Sequence, residues 1–211
     1  MTTEDIQLNL AYRLGEDSAP TNANELARRL AFINQALREV YKRHYWWWTE
    51  AEGTLTTNSS KTSYGTADGL PSNIRDYYEI KDGTLIYHPI DAQEASEITE
   101  NPLLNYTIPY GIGDLYYYTW NDKLYFLPQI QVTGKVISIK YWEGYTALTA
   151  GSTVPIPDLF CNCLDAYAFA RISQIDDERG SAADGFDEFE ETMRQMMIEH
   201  NKQSFYNKPG A

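Results

Sequence analysis

One apolar stripe constrains the fold of this chain more than any other feature of its sequence. It recurs at spacings of four, three, four and three residues and consists of Leu26, Leu30, Ile33, Leu37 and Val40. This spacing predicts an amphipathic helix over residues 22–44, and the apolar face of that helix must be covered by other elements. Asn22 can cap the first turn, and Glu25 stands three residues later, as in a capping box.

Three consecutive tryptophans, Trp46, Trp47 and Trp48, follow this helix. Their indoles cannot all point to one side, because neighbouring side chains diverge in a helix and alternate in a strand. Trp47 continues the apolar stripe, so we predict that it packs into the helical part. Trp46 and Trp48 would then face a β region or an adjacent subunit. We expect these three residues to form the junction between a helical part and a β region.

The middle of the chain, about 46–145, predicts antiparallel β structure. Asp82-Gly83 and Asn121-Asp122 each separate two alternating runs, which is the strongest short hairpin signal. Two more strands are predicted to turn near Thr133-Gly134. The segment 89–112 interrupts this pattern with a short helix, DAQEASEI, and a loop. That loop contains Pro102, Pro109, Gly111 and Gly113.

The last third predicts two helices that form an antiparallel αα-hairpin. The first opens at Pro157 and Asp158 and ends at Gly180, and the second begins near Asp184. The first helix carries an apolar stripe of Phe160, Leu164, Ala168, Ile172 and Ile175. The second helix carries an apolar stripe of Phe186, Phe189, Met193, Met196 and Met197. The methionines suit either an ordinary core or an adaptable docking surface.

These elements predict an α+β fold: a helical bundle with an inserted antiparallel β lobe. A short helix over residues 4–14, the long N-terminal helix and the C-terminal αα-hairpin supply the helices. The predicted domains are a bundle of 1–45 with 150–206, a β domain of 46–149, and an extended tail of 207–211.

The charge balance excludes one large class of function. Acidic residues exceed basic ones by 30 to 17, which gives a formal net charge of −13 at pH 7. No cluster of lysines and arginines could neutralise a row of phosphates, so we do not expect a protein that grips nucleic acid. We predict neither a secretory signal nor a membrane span, because the N-terminus is acidic and no apolar run is long enough.

No motif for a cofactor, a nucleotide or a metal is recognisable. Cys161 and Cys163 are predicted to be small, reduced residues of a helix, in its core or at its surface, since a structural metal site needs about four ligands. The only histidines, His44, His88 and His200, lie far apart in sequence. His44 is expected to be a packed or boundary residue.

The order of these motifs resembles a known family. The long helix ends at the tryptophans, a β region follows, and VISIKYWEGYTALT leads through STVPIPDLF into another helix. This arrangement resembles the head–tail adaptors of tailed bacteriophages, the group that includes the tail tubular protein A of short-tailed phages. The matching positions are Tyr141, Trp142, Leu148, Thr149, Pro155, Ile156, Pro157 and Leu159. The segments 58–72 and 89–112 match no motif of that family.

The resemblance implies a structural protein with no catalysis and no cofactor. It implies a dodecameric ring under the portal, with a helical wall and a lumen through which DNA passes without sequence-specific contact. The portal protein and a downstream tail or nozzle protein would be its partners. Its place would be the head–tail interface of the virion, after assembly in the host cytoplasm. The C-terminal segment would reach the portal, with docking residues Phe205, Tyr206, Asn207, Lys208 and Pro209.

Two other functions remain open. The surplus of tyrosine, 17 residues, would suit a carbohydrate-binding or other aromatic ligand-binding module. The acids between 176 and 190 would allow a hydrolase with a carboxylate pair that includes Glu188. A solvated charged helix end explains Asp176, Asp177 and Glu178 more simply.

Overall fold

The computed structural model describes residues 1–100, 115–176 and 179–206. The chain divides into two compact units. One consists of residues 1–49 and 145–211, here called the helical unit, and the other consists of residues 50–144, here called the sheet unit. The predicted domain boundaries, 1–45 with 150–206 and 46–149, stay a prediction. The predicted tail 207–211 lies outside the described residues.

The described residues form five α-helices and seven strands. The helices are α1 (Thr3–Arg13), α2 (Ala23–Arg43), α3 (Ala92–Glu100), α4 (Asn162–Ile175) and α5 (Arg179–Tyr206). The strands are β1 (Glu50–Thr56), β2 (Ser63–Tyr64), β3 (Ile74–Asp82), β4 (Leu85–Pro89), β5 (Leu115–Trp120), β6 (Lys123–Leu127) and β7 (Val136–Glu143). Helix α3 belongs to the sheet unit, and the other four helices belong to the helical unit.

The two N-terminal helices begin at capping side chains. The Asn22 side chain accepts hydrogen bonds from the backbone N–H groups of Asn24 and Glu25, which confirms the predicted start of α2. At α1, Thr2 and Asp5 form a capping box that the sequence interpretation missed. Acceptors at these positions satisfy N–H groups that have no partner within the helix.

Helices α4 and α5 pack tightly against each other at a glycine. A Cβ added at Gly185 would lie 2.9 Å from both the Ala166 carbonyl oxygen and the Ala170 Cβ. The predicted limits of these helices were wrong, because α5 begins at Arg179 and includes Gly180. Glycine at this exposed position does not end a helix that tertiary packing supports.

Most residues of the predicted apolar stripes are buried, and Leu26, Leu30 and Phe186 are half-buried. Ile175 and Met197 are 61% and 37% exposed, so the buried faces do not extend to these two residues. Ile175 is the last residue of α4, where the covered face ends. The core of the helical unit includes Ile6, Leu10, Ile33, Leu37, Val40, Trp46, Phe160, Leu164, Ile172, Phe189, Met193 and Met196.

The predicted fold class was wrong. The sheet unit is not a small antiparallel lobe on a helical bundle but a mixed, seven-stranded, curled half-barrel sheet. Its strand order is β1-β7-β3-β4-β5-β6-β2, and β4 and β5 are parallel. A parallel pair requires a crossover connection, and residues 90–114 supply it. The sequence interpretation took this segment for an interruption between antiparallel hairpins. The described part of it contains the predicted short helix as α3, and its proline- and glycine-containing loop lies outside the described residues.

The turns of the sheet follow local backbone chemistry. Asn121 and Asp122 both have positive φ, at 48° and 57°, as a type I′ turn requires, which confirms the hairpin predicted there. The first hairpin turns at Gly83-Thr84, one residue later than predicted, because Asp82 still pairs with Leu85. The predicted strand before Thr133-Gly134 does not form.

The sheet unit has a core of its own. One face of the sheet buries side chains that alternate along the strands, as expected for a sheet covered on one side. The members of this core are Leu55, Tyr64, Leu70, Ile80, Tyr87, Tyr117, Leu124, Phe126, Ile130, Ile137, Ile139 and Tyr141.

Candidate interaction surfaces

The three tryptophans form one aromatic cluster in the helical unit. Trp46 is fully buried, its indole stacks on Trp48 with ring centroids 4.9 Å apart, and Trp47 meets Trp48 edge to face at 4.5 Å. The prediction that Trp47 is the buried indole was therefore wrong. Helix α2 ends at Arg43, and His44 is extended (φ −156°, ψ 162°). The spacing of the helical stripe therefore does not determine the direction of the Trp47 side chain.

Two histidines lie against this cluster. The ring of His44 meets the ring of His200 edge to face, with centroids 4.2 Å apart. His200 also lies within 6.2 Å of Trp46 and 6.0 Å of Trp47, measured between ring centroids. Burial lowers the pKa of the His200 imidazole, and the facing His44 lowers it further. The ring contact joins the end of α2 to the C-terminal part of α5.

An arginine links three helices of the helical unit. Arg13 of α1 donates from Nε to Asp165 of α4 over 2.8 Å, and its two terminal nitrogens bind the Glu188 carboxylate of α5 over 2.7 and 2.6 Å. The Asp165 side chain is almost fully buried, and its burial raises the pKa of the carboxyl. The Arg13 hydrogen bond lowers the pKa of Glu188. A carboxylate bound in this way is not poised to transfer protons.

The segment between β7 and α4 is fixed to α2 by one asparagine. The Asn34 amide nitrogen donates to the Leu148 carbonyl oxygen over 3.0 Å, and its oxygen accepts from the Leu148 backbone N–H over 2.7 Å. The Tyr145 hydroxyl donates to the same amide oxygen. The Asn34 side chain therefore satisfies both backbone polar groups of Leu148, as a neighbouring strand would, in a segment that has no regular structure.

The sheet unit contains one further surface of interest, an open groove of about 1080 Å³. Residues 60–77 and 119–123 line most of it, and Trp120 stands at its rim with 58% of its surface exposed. An exposed indole beside hydroxyl and amide groups is a common feature of binding surfaces. The ligand-binding alternative, which the sequence attached to the tyrosine-rich β region, stays a prediction.

The profile of one family, the SU10 adaptor protein, matches residues 1–210. The chain belongs to the SU10 adaptor protein family. The resemblance to phage head–tail adaptors is thereby confirmed, and the protein is a structural component of a phage virion. No curated protein matches the chain.

The motif positions of the adaptor have structural roles in both units. Tyr141 is buried in β7, where the ring of Trp142 lies 5.2 Å from that of Tyr78. In the helical unit, Leu148 and Ile156 are buried, whereas Pro155 is exposed and Pro157 half-buried. The Ile156 carbonyl oxygen accepts from the Cys161 thiol at 3.4 Å.

Both cysteines of the adaptor are free and buried, so they lie in the core and not at the surface, the two positions that the sequence left open. Burial raises the pKa of the Cys161 thiol to about 11 and that of Cys163 well above its ordinary value. Such thiols are poor nucleophiles at neutral pH, because the thiolate is the reactive form.

The predicted docking residues are only partly described. Phe205 and Tyr206 belong to the last turn of α5. Asn207, Lys208 and Pro209 lie outside the described residues, as do Asp177 and Glu178 of the predicted acidic cluster. Over the ranges that are described, no group of three or more metal-ligating side chains comes together. None of the helices there is both long and apolar enough to cross a membrane.

No role was predicted from the sequence for Arg13 or Asn34. Basic residues such as Arg13 are common in the last turn of a helix, so its position gave no sign of a buried ion pair. Asn34 follows Ile33 of the apolar stripe of α2. A polar residue beside a buried stripe could have indicated a hydrogen bond to another segment.

Proposed function

We propose that this adaptor forms a dodecameric ring below the portal, joins the capsid to the tail, and encloses the channel through which the genome is ejected. The observation that carries the proposal is the family match over residues 1–210. In this role the portal protein lies above the ring, and a tail or nozzle protein lies below it. The helical unit forms the ring wall, and the end of α5 presents the docking residues, Phe205 to Pro209, to the portal.

The charge of the chain supports a passive DNA channel. A net charge of −13 gives a surface that repels phosphates, so the genome can move past it without being held. Retention of the purified chain on a duplex DNA column at about 50 mM salt, with elution that depends steeply on salt, would contradict this part of the proposal.

The proposed role needs no catalytic step. Glu188, the carboxylate of the hydrolase alternative, is bound by Arg13 through two hydrogen bonds. If Glu188→Gln abolished a hydrolytic activity of the chain without unfolding it, the structural role would be incomplete.

Co-assembly with the portal tests the proposal directly. The full chain is mixed with purified portal rings from the same phage, and the products are weighed by native mass spectrometry and imaged by electron microscopy. We expect twelve adaptor copies on each portal ring. Portal rings that stay bare at micromolar adaptor concentrations would overturn the proposal.

The docking residues are tested by a truncation. Deletion of residues 205–211 should weaken portal binding by about 30-fold or more, because buried aromatic anchors each contribute about 2 kcal/mol or more. The matched control is Lys202→Ala, an exposed residue of the same helix. Unchanged affinity of the truncated chain would remove this segment from the interface while leaving the ring proposal intact.

A further inference from the structure

Over the residues that the structure describes, the sheet of the sheet unit is open at both ends. Its order begins with β1 and ends with β2, so within the described ranges β1 pairs only with β7 and β2 only with β6. A closed barrel would leave no such edges. Each open edge presents N–H and C=O groups that can pair with another strand lying alongside.

The β1 edge has few of the usual protections against strand addition. Its seven residues pair with β7 in unbroken register from Glu50 opposite Trp142 to Thr56 opposite Val136. It contains no proline, no lysine and no bulge, and its charged residues are Glu50 and Glu52. An edge of this length and regularity is suited to being covered by another strand in the assembled protein.

The β2 edge is short and differs in charge. Lys61 and Thr62 precede β2 and are exposed. Lys61 pairs with Asp68, whose side chain is only 14% exposed against 44% for that of Lys61. Lys123 on the adjoining strand follows Asp122 in sequence. Acidic and basic side chains therefore both occur at this end of the sheet. In the Lys61–Asp68 ion pair, the lysine is the more exposed partner.

The β1 end is more acidic. Glu50 and Glu52 are both exposed, and the Lys140 ammonium lies 3.4 Å from the Glu52 carboxylate and 3.3 Å from that of Glu79. Two β1 edges placed together would bring these carboxylates close to one another, which is unfavourable. Pairing a β1 edge with a β2 edge avoids that repulsion, and it places Lys61 of one copy near Glu50 and Glu52 of the other.

We propose that the β1 edge of one copy docks against the β2 edge of the next copy, so that the sheets of neighbouring subunits continue into one another. This inference rests on the proposed ring. Closed rings are built from contacts between two different surfaces of the same chain, and the two edges of one open sheet are such a pair. Backbone hydrogen bonds would supply the contact, and the lysines would help to select the orientation.

Cysteine cross-linking tests the contact. Thr54 on β1 and Thr62 beside β2 are exposed, whereas the natural cysteines Cys161 and Cys163 are fully buried. Thr54→Cys and Thr62→Cys are made separately and together in the full chain, assembled with portal rings, and treated with a bismaleimide that spans about 10 Å. This reach tolerates a shift in register, because adjacent strands are about 4.8 Å apart. The control mixture combines Thr54→Cys with Gln93→Cys, an exposed position on α3.

We expect the double variant to give a ladder of covalent oligomers and the mixture of the two single variants to give dimers. Each single variant alone and the control mixture should stay monomeric on denaturing gels. Cross-linked dimers of Thr54→Cys alone would show β1 paired with β1 and overturn the inference. If the double variant forms rings by electron microscopy but gives no cross-links, the proposed contact between the two edges is overturned. The proposed function is not affected by that result. The absence of rings altogether would overturn the proposed function.

Discussion

The indole N–H of Trp46 donates a 2.8 Å hydrogen bond to the carbonyl oxygen of Val40 inside the core of the helical unit. This carbonyl belongs to the last turn of α2, where backbone oxygens have no partner within the helix. The buried indole therefore both fills the core and satisfies the end of the helix. In the same way, the Thr49 hydroxyl and backbone N–H both donate to the Trp46 carbonyl oxygen.

Replacing Trp46 should therefore be the costly change in the tryptophan cluster. Trp46→Ala should lower the free energy of unfolding by about 3–5 kcal/mol, because it creates a cavity and leaves the Val40 carbonyl without its donor. Trp47→Ala is the matched control and should cost less, since Trp47 is only half-buried. Urea denaturation followed by circular dichroism measures both values. A larger loss for Trp47→Ala would contradict this account of the cluster.

Two glycines of α5 should respond in opposite directions to alanine. Gly185→Ala should destabilise the protein by about 1–3 kcal/mol, because its methyl group would meet the Ala166 carbonyl oxygen and Ala170. Gly180→Ala meets nothing within 4 Å and should stabilise by up to about 1 kcal/mol through helix propensity. Thermal unfolding of the two variants gives the sign of each effect. A stabilising Gly185→Ala would show that α4 and α5 can move apart at no cost.

Removing Arg13 should lower the free energy of unfolding, because the buried Asp165 carboxylate would lose its ion pair. Arg13→Met should destabilise by about 3 kcal/mol at pH 7, because it leaves Asp165 buried and charged. Asp165→Asn in the same background should recover part of that loss, which a double-mutant cycle measures. Glu188→Gln alone should cost less, since the Glu188 side chain is 38% exposed and is screened by water. Equal costs for the two single changes, Arg13→Met and Glu188→Gln, would contradict this ranking.

His200 should make the stability of the protein depend on pH in the mildly acidic range. The pKa of His200 is lowered in the folded state, so the unfolded chain binds a proton at higher pH than the folded one. The stabilising contribution is complete above the unfolded pKa of about 6.5 and is lost as pH falls below it. Urea denaturation at pH 7.5 and 5.5 should show the loss for the natural chain.

His200→Gln should reduce this pH dependence, because it removes the titrating group from the cluster. His88→Gln, at an exposed position of the sheet unit, is the control and should leave the dependence unchanged. Tryptophan fluorescence of the natural chain should change over the same pH range, since His200 lies beside Trp46 and Trp47. A pH dependence that persists in full in His200→Gln would assign it to other groups.

Local patterns predicted local structure well. The stripe of α2 and its Asn22 cap were read correctly, because a helix is specified by the spacing and capping of residues within one segment. The Asn121-Asp122 turn was read correctly for a similar reason, since both residues tolerate positive φ. Family membership also followed from the order of motifs along the chain.

Errors appeared where distant segments meet. The parallel pairing of β4 with β5 depends on where the chain returns after residue 89, and no local signal encodes that path. The segment QIQV alternates as a strand does, yet β7 lies between β1 and β3 and leaves it no place in the ladder. The ring, the portal contact and the roles of Phe205 to Pro209 stay predictions.

The sequence by itself determined the presence of the helices, the Asn121-Asp122 turn and the adaptor family, because each follows from chemistry within short segments and their order. Only the tertiary structure decided that Trp46 is the buried indole, that Arg13 binds Asp165 and Glu188, and that the sheet is mixed and open. The physical reason is that burial and pairing depend on which surfaces meet in space. Residues such as Arg13 and Glu188 are separated by 175 positions in the chain, and only the folded backbone brings them together.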